Sequence, residues 1–208
     1  MTLQNWLAFV VAASVLLAIP GPTLLLVMSY SLAEGRRSAW STVPGVVAGD
    51  ATALTLSLLG LGALLAASAA WFAAFKWVGA AYLVYLGVRM WRSDPGAEGM
   101  EARWSGRSHW RMTAHAYTVT ALNPKSIAFF VAFLPQFLVP HAPLLPQGVL
   151  LGSTFLVLAG VNAALYAVLV GGMRSRMTRP HTRRMLNRVG GSVLIGAGAL
   201  TAALRRAA

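Results

Sequence analysis

Six mostly apolar runs follow one another along the chain, each about 20 residues or longer, and this leaves little choice of fold. They extend from Asn5 to Leu32, Thr42 to Ala67, Trp71 to Met90, Met112 to Leu138, Gln147 to Met173 and Met185 to Leu204. A helix of that length crosses the ~30 Å hydrocarbon core of a bilayer. Hydrocarbon offers no water to unmet N–H and C=O groups, so each run must satisfy its own backbone as a helix. The sequence predicts an all-α integral membrane protein of six transmembrane helices. Only 11% of its 208 residues are charged, against about 25% in a soluble domain. The first run has no Lys or Arg before it and continues beyond Pro22 to Tyr30. It reads as a first span, not as a cleaved signal peptide.

The net charge is +12, with 17 Lys and Arg against 5 Asp and Glu. Such a balance can mark a nucleic-acid binder, but the basic residues gather at the ends of apolar runs. Arg36 and Arg37 lie between spans one and two. Arg89, Arg92, Arg103, Arg107 and Arg111 surround the loop after span three. Arg174, Arg176, Arg179, Arg183, Arg184 and Arg188 precede or open span six. The opposite side carries only Arg205 and Arg206. Basic loops stay in the cytoplasm, so both termini are expected on the outer side, and nucleic acid is not a partner. Cysteine is absent, which excludes disulfides and thiolate metal sites.

Two proline breaks interrupt these runs. Pro20-Gly21-Pro22 lies in span one and Asn123-Pro124-Lys125 in span four. A proline frees backbone groups that lipid cannot satisfy, so the break must face protein or a water-filled cavity. Paired breaks in two halves of a chain mark a transporter's binding site. Spans three and six also correspond: Gly79, Leu83 and Gly87 align with Gly190, Leu194 and Gly198. Each half then holds three spans, and an odd number inverts one half relative to the other. The expected organisation is a single transmembrane domain over 1–208, with inverted repeats at 1–92 and 112–208 joined by a cytoplasmic loop at 93–111.

Asp50 is the one acid firmly within a span, and Lys125 lies within span four. A charge at the bilayer centre costs about 2.5–3.5 kcal/mol even on the lenient insertion scale, so each must face the interior and find a partner. Spacing along the helices brings Asp50, Pro22 and Lys125 near one depth. Asp50 is the candidate to bind a substrate ammonium or to carry a proton; a static ion pair with Lys125 is the bland alternative. The half-helices that begin at Thr23 and near Lys125 present free N–H groups. With the Lys125 ammonium they suit a carboxylate, and Asn123 can cap the second or touch the ligand. A small zwitterionic amino acid has the charges this arrangement wants. Asn162 and Tyr166 lie one turn apart on span five, as cavity lining or interhelical glue. Lone His115 reads as structural, and Gly45 and Gly49 as a close-packing pair.

The segments IPGPTLLLVMSYSLAEGRRSAW, GVVAGD, KWVGAAYLVYLGVRMW and ALNPKSIAFFVAFLPQF, with the Gly-rich last span, are specific as a set. In them the chain resembles the lysine exporter and homoserine/threonine exporter family (LysE/RhtB) of bacterial inner-membrane proteins. The resemblance implies a six-span fold with inverted halves that exports amino acids or close derivatives in exchange for protons, with no cofactor. It places Pro20, Gly21, Pro22, Asn123, Pro124 and Lys125 among the family's signature residues, and Asp50 in its Gly-Asp segment. Thr23 and Asn162 complete the candidate substrate site, and Asp50 is the candidate for proton coupling. One departure matters: many members have Asn or Asp directly after the PGP, where this chain has Thr23, so no particular substrate is implied. The shortage of intramembrane acids and the lack of cysteine argue against a soft metal ion as cargo.

Two other classes compete. An intramembrane enzyme needs a nucleophile–base pair or a clustered metal site, and the spans offer neither. A structural, partner-binding subunit suits the Gly-rich faces, which can pack within the chain or in a homo-oligomer, but does not need two polar breaks.

Overall fold

The computed structural model describes residues 1–67, 108–139 and 142–172, together with 77–78, 80–85 and a few single positions; side chains are described from residue 1 to 60 in the first segment. Helix α1 spans Leu3–Ala18, with the Thr2 hydroxyl capping its start by accepting from the Asn5 N–H. Helix α2 runs Pro22–Glu34. A short 3₁₀ turn, Gly35–Ser38, leads into α3, Ala39–Ala67. Gly35, at this junction, has a φ of 72°, which is easy only for glycine.

After the segment outside the described residues, α4 covers His109–Ala121 and α5 covers Pro124–Ala128. The helical path then continues as a π turn, Phe129–Phe133, and a 3₁₀ turn, Leu134–Phe137. Pro135 accounts for this change of winding: it has no N–H to donate, and its ring crowds the carbonyl one turn back. Helix α6 spans Leu144–Gly172.

Among the described residues there is no strand, and three helical stretches are long and apolar enough to cross a membrane: Pro22–Gly60, His109–Phe137 and Leu144–Gly171. The protein is an all-helical, multi-pass membrane protein. Much of the expected spans three and six, the residues Gly79, Gly87, Gly190 and Gly198 of the repeat, and most of loop 93–111 lie outside the described residues. Of the aligned pairs, Leu83 and Leu194 are described, and both are buried in the same cluster. Helix α4 begins earlier than the apolar run suggests. His109 explains this, because its Nδ1 lies 2.7 Å from the Ser41 hydroxyl and anchors the first turn to α3.

One aromatic cluster joins α1, the π turn and α6. Phe129 and Phe130 pack on Phe155 with ring centroids 5.6 and 4.8 Å apart, and Phe9 lies against Phe129 and Phe137. A second cluster gathers Val27 and Tyr30 of α2, Met112 and Ala116 of α4, and Ala163 and Ala167 of α6. His115 belongs here: its Nδ1 lies 3.1 Å from the Tyr30 hydroxyl, and the rings meet edge to face. Between the two clusters lies a polar layer, formed where α1 gives way to α2 and α4 to α5.

Candidate functional site

The layer starts from an unfinished helix end. Where α1 stops, its last carbonyls run out of intrahelical N–H partners, and the Ile19 N–H reaches only Leu16, at 3.2 Å. Pro20 and Pro22 cannot donate, so the continuing chain supplies little relief. Four side-chain bonds from the other half of the sequence meet the need. Lys125 Nζ donates to the carbonyls of Leu16 and Ile19 at 3.1 and 2.8 Å. Asn162 Nδ2 donates to Leu17 at 3.0 Å, and the Tyr166 hydroxyl to Ala18 at 2.8 Å. Every carbonyl from Leu16 to Ile19 thus has a side-chain donor.

The Lys125 stem crosses the backbone at Gly21, where a Cβ would stand 3.4 Å from both Cε and Nζ, an ordinary contact. Pro20 is buried, Gly21 and Pro124 are half-buried and Pro22 is exposed. Lys125 itself is buried. The sequence reading grouped its ammonium with helix N-termini; the structure sets it instead on the C-terminal end of α1, where the helix dipole is negative and a cation is favoured.

A second set of bonds joins the starts of α2 and α5. Asn123 caps α5, its Oδ1 accepting from the Lys125 N–H at 3.0 Å. Its Nδ2 donates to the Thr23 hydroxyl at 3.0 Å. Thr120 donates to the same oxygen at 3.2 Å. Thr23, at the position of the family departure, therefore serves as the acceptor that ties α2 to α4 and Asn123. No side chain caps the first turn of α2.

Asp50 completes the layer from α3. It is 2% exposed, and its Oδ1 has no hydrogen-bond partner. The Ser126 hydroxyl and the Lys125 ammonium are its polar neighbours, and Asp50 and Lys125 lie within each other's field without a direct ion pair. The other buried side-chain oxygen without a partner, among the described residues, is Gln136 Oε1. Asp50 is brought to this place by close packing of α3 on α4, where a Cβ on Gly49 would lie 2.7 Å from the Tyr117 carbonyl.

Pro20, Gly21, Pro22, Thr23, Asp50, Asn123, Pro124, Lys125 and Asn162 thus meet in one layer. Sequence reasoning missed Thr120 and Ser126. Thr120 stands one turn before Asn123, and Ser126 directly follows Lys125, so their nearness to the second break was the available signal. Thr23, Asp50, Thr120, Asn123, Lys125 and Ser126 are all buried. No three His, Asp or Glu side chains among the described residues gather to hold a metal ion.

A sequence model of the LysE type translocator family matches residues 14–204. The chain belongs to this family. It is 34% identical over its full length, and over all of the relative's, to the homoserine/homoserine lactone efflux protein of Salmonella typhimurium, and equally to that of Salmonella typhi. It is 33% identical to an uncharacterized membrane protein of Vibrio cholerae, covering 97% of this chain and 98% of the relative. No solved structure matches it. Membership fits a translocator and not an enzyme.

The bonds to the end of α1 yield a prediction. N162L leaves the Leu17 carbonyl without its donor, and Y166F does the same to Ala18. An unmet group costs about 1–3 kcal/mol in water-soluble cores, but bonds between spanning helices average nearer ~0.6 kcal/mol. Each variant is expected to lose about 1 kcal/mol, and the pair, which shares one helix end and so couples, more than either alone. Thermal unfolding of the detergent-purified variants measures it, and unchanged melting in both would show that these bonds hold nothing in place.

Proposed function

We propose that this protein exports small amino acids or close derivatives from the cytoplasm across the inner membrane, by alternating access and in exchange for protons. The observation that carries this reading is Asp50 Oδ1, a buried acidic oxygen without a partner inside a membrane layer built from two helix interruptions. A polar group left so is costly unless a ligand or proton uses it. Efflux as the direction rests on the relatives named for homoserine and homoserine lactone. Those two molecules share an amino group, while ring closure consumes the carboxylate. The shared group is a cation, and in this reading Asp50 receives it. A carboxylate, where the substrate has one, finds the uncapped first turn of α2 at Thr23 and Leu24.

In this reading Pro20, Gly21, Pro22, Thr23, Asn123, Pro124, Lys125 and Asn162 form the walls of the substrate site. Lys125 and Asn162 act by fixing the end of α1. The architecture is six spans in a single domain over 1–208, as inverted repeats 1–92 and 112–208 joined by the cytoplasmic loop 93–111. Spans one and four are broken at the prolines, and both termini lie on the periplasmic side. The halves rock about the polar layer, whose cross-half bonds are the contacts available to change. Protonation of Asp50 as the substrate leaves couples export to proton entry.

The test is a panel of amino acids, homoserine lactone and dipeptides assayed for efflux from cells that express or lack the protein. Expected is a several-fold faster loss of one or more amino-bearing compounds in expressing cells. No difference across the panel would turn the reading toward a structural subunit. Proton coupling is tested apart, in vesicles preloaded with a transported compound. An imposed pH gradient, acid on the side that receives the substrate, is expected to speed efflux several-fold. Efflux indifferent to the gradient removes the coupling and leaves transport standing.

A further inference from the structure

The carbonyl end of a broken helix, lined by a nearby carboxylate, is where coupled transporters hold a monovalent cation. Here that place is filled from within. Lys125 Nζ lies 2.8 Å from the Ile19 carbonyl and 3.1 Å from that of Leu16. The neighbouring Leu17 and Ala18 carbonyls are taken by Asn162 and Tyr166. Asp50 supplies a negative charge close by but does not pair directly with the lysine. The lysine stem passes over Gly21, at ordinary contact distance from where a Cβ would stand. Carbonyl oxygens, a nearby acid and a buried setting are the ligand chemistry of a hard monovalent cation such as sodium.

We propose that the Lys125 ammonium is a tethered, resident cation occupying a latent sodium-type site at the end of α1, so that the protein folds and transports without sodium. The lysine gives this site a charge that cannot dissociate. It joins α5 to α1 in every step of the cycle in which the ammonium keeps its carbonyls. Removing it uncovers the Leu16 and Ile19 carbonyls beside an uncompensated Asp50, and a free cation can then enter. The inference goes beyond the export reading, since the site is tested without any substrate.

The experiment compares wild type, K125A and K125R, purified in detergent and melted in sodium, potassium or choline chloride at equal ionic strength. Wild type and K125R, both with a tethered cation, should melt alike in all three salts. K125A should melt lower in choline and rise saturably with sodium by roughly 5 °C, following the mass action of ligand binding. A K125A protein indifferent to both sodium and potassium overturns the proposal. So does a sodium-specific rise in wild type or in K125R. Should K125A not survive purification, wild-type efflux from loaded vesicles decides: unchanged rates when choline replaces sodium support the proposal, and loss of efflux overturns it. Failure of efflux in every salt would count against the export reading, while the melting series still judges the cation site.

Discussion

D50N is expected to abolish substrate efflux while the protein stays folded in the membrane at wild-type level. Asn matches Asp in shape, so packing around α3 is kept. What is lost is the charge that receives an ammonium or a proton. A hydrogen bond to a charged group contributes about 1.5–3 kcal/mol, equivalent to roughly 10- to 150-fold in a rate or affinity that depends on it. The loss of a proton carrier adds to that. Stability should move the opposite way. Asp50 Oδ1 is buried without a partner, and a neutral amide is cheaper to bury than a carboxylate. The variant should therefore melt at or above the wild-type temperature while efflux falls to background. A site retained against stability has this signature. Normal efflux by D50N would remove Asp50 from the mechanism, and a large fall in melting temperature would make it a structural residue.

The parts of this layer that violate a rule of membrane sequences could be read in advance. Prolines within spanning runs and charges at Asp50 and Lys125 stand out because each is costly there. Which end of a helix Lys125 faces could not be read, since its long stem reaches either way. The outcome depends on the carbonyls at the end of α1 that accept its ammonium. Hydroxyls were harder still. In spanning helices they commonly bond the carbonyl one turn back, as Ser29 does to Leu25, Thr52 to Ala48 and Thr118 to Ala114. Thr120 and Thr23 look the same in sequence, yet they bond to each other across helices. Helix starts shifted for a related reason: the first turns of α3 and α4 are tied by Ser41, His109 and Thr113, and the polar Ser41 and His109 lie just outside the apolar runs.

G45A and G49A, combined in one chain, are expected to do more damage than any single change outside the polar layer. A Cβ on Gly49 would stand 2.7 Å from the Tyr117 carbonyl and 2.8 Å from Thr120 Cβ. One on Gly45 would strike the Thr113 carbonyl and stand 2.8 Å from Ala116 Cβ. The obstacles are largely backbone, which cannot swing aside as a side chain tip can. Helices α3 and α4 must therefore separate along two consecutive turns. Overpacking of this kind costs about 1–3 kcal/mol per site, and two sites on one interface strain in the same direction. The shift also carries Asp50, next to Gly49, away from Ser126, and moves Thr120 off Thr23. Efflux should then fall further than the melting temperature alone accounts for. Melting curves and efflux on the same preparations, with G148A as a control, check this. The control Cβ meets only Leu58 Cδ1, at 3.4 Å, an ordinary contact with a flexible tip. A double variant that melts and transports like the control would mean that α3 and α4 need not lie this close for the site to work.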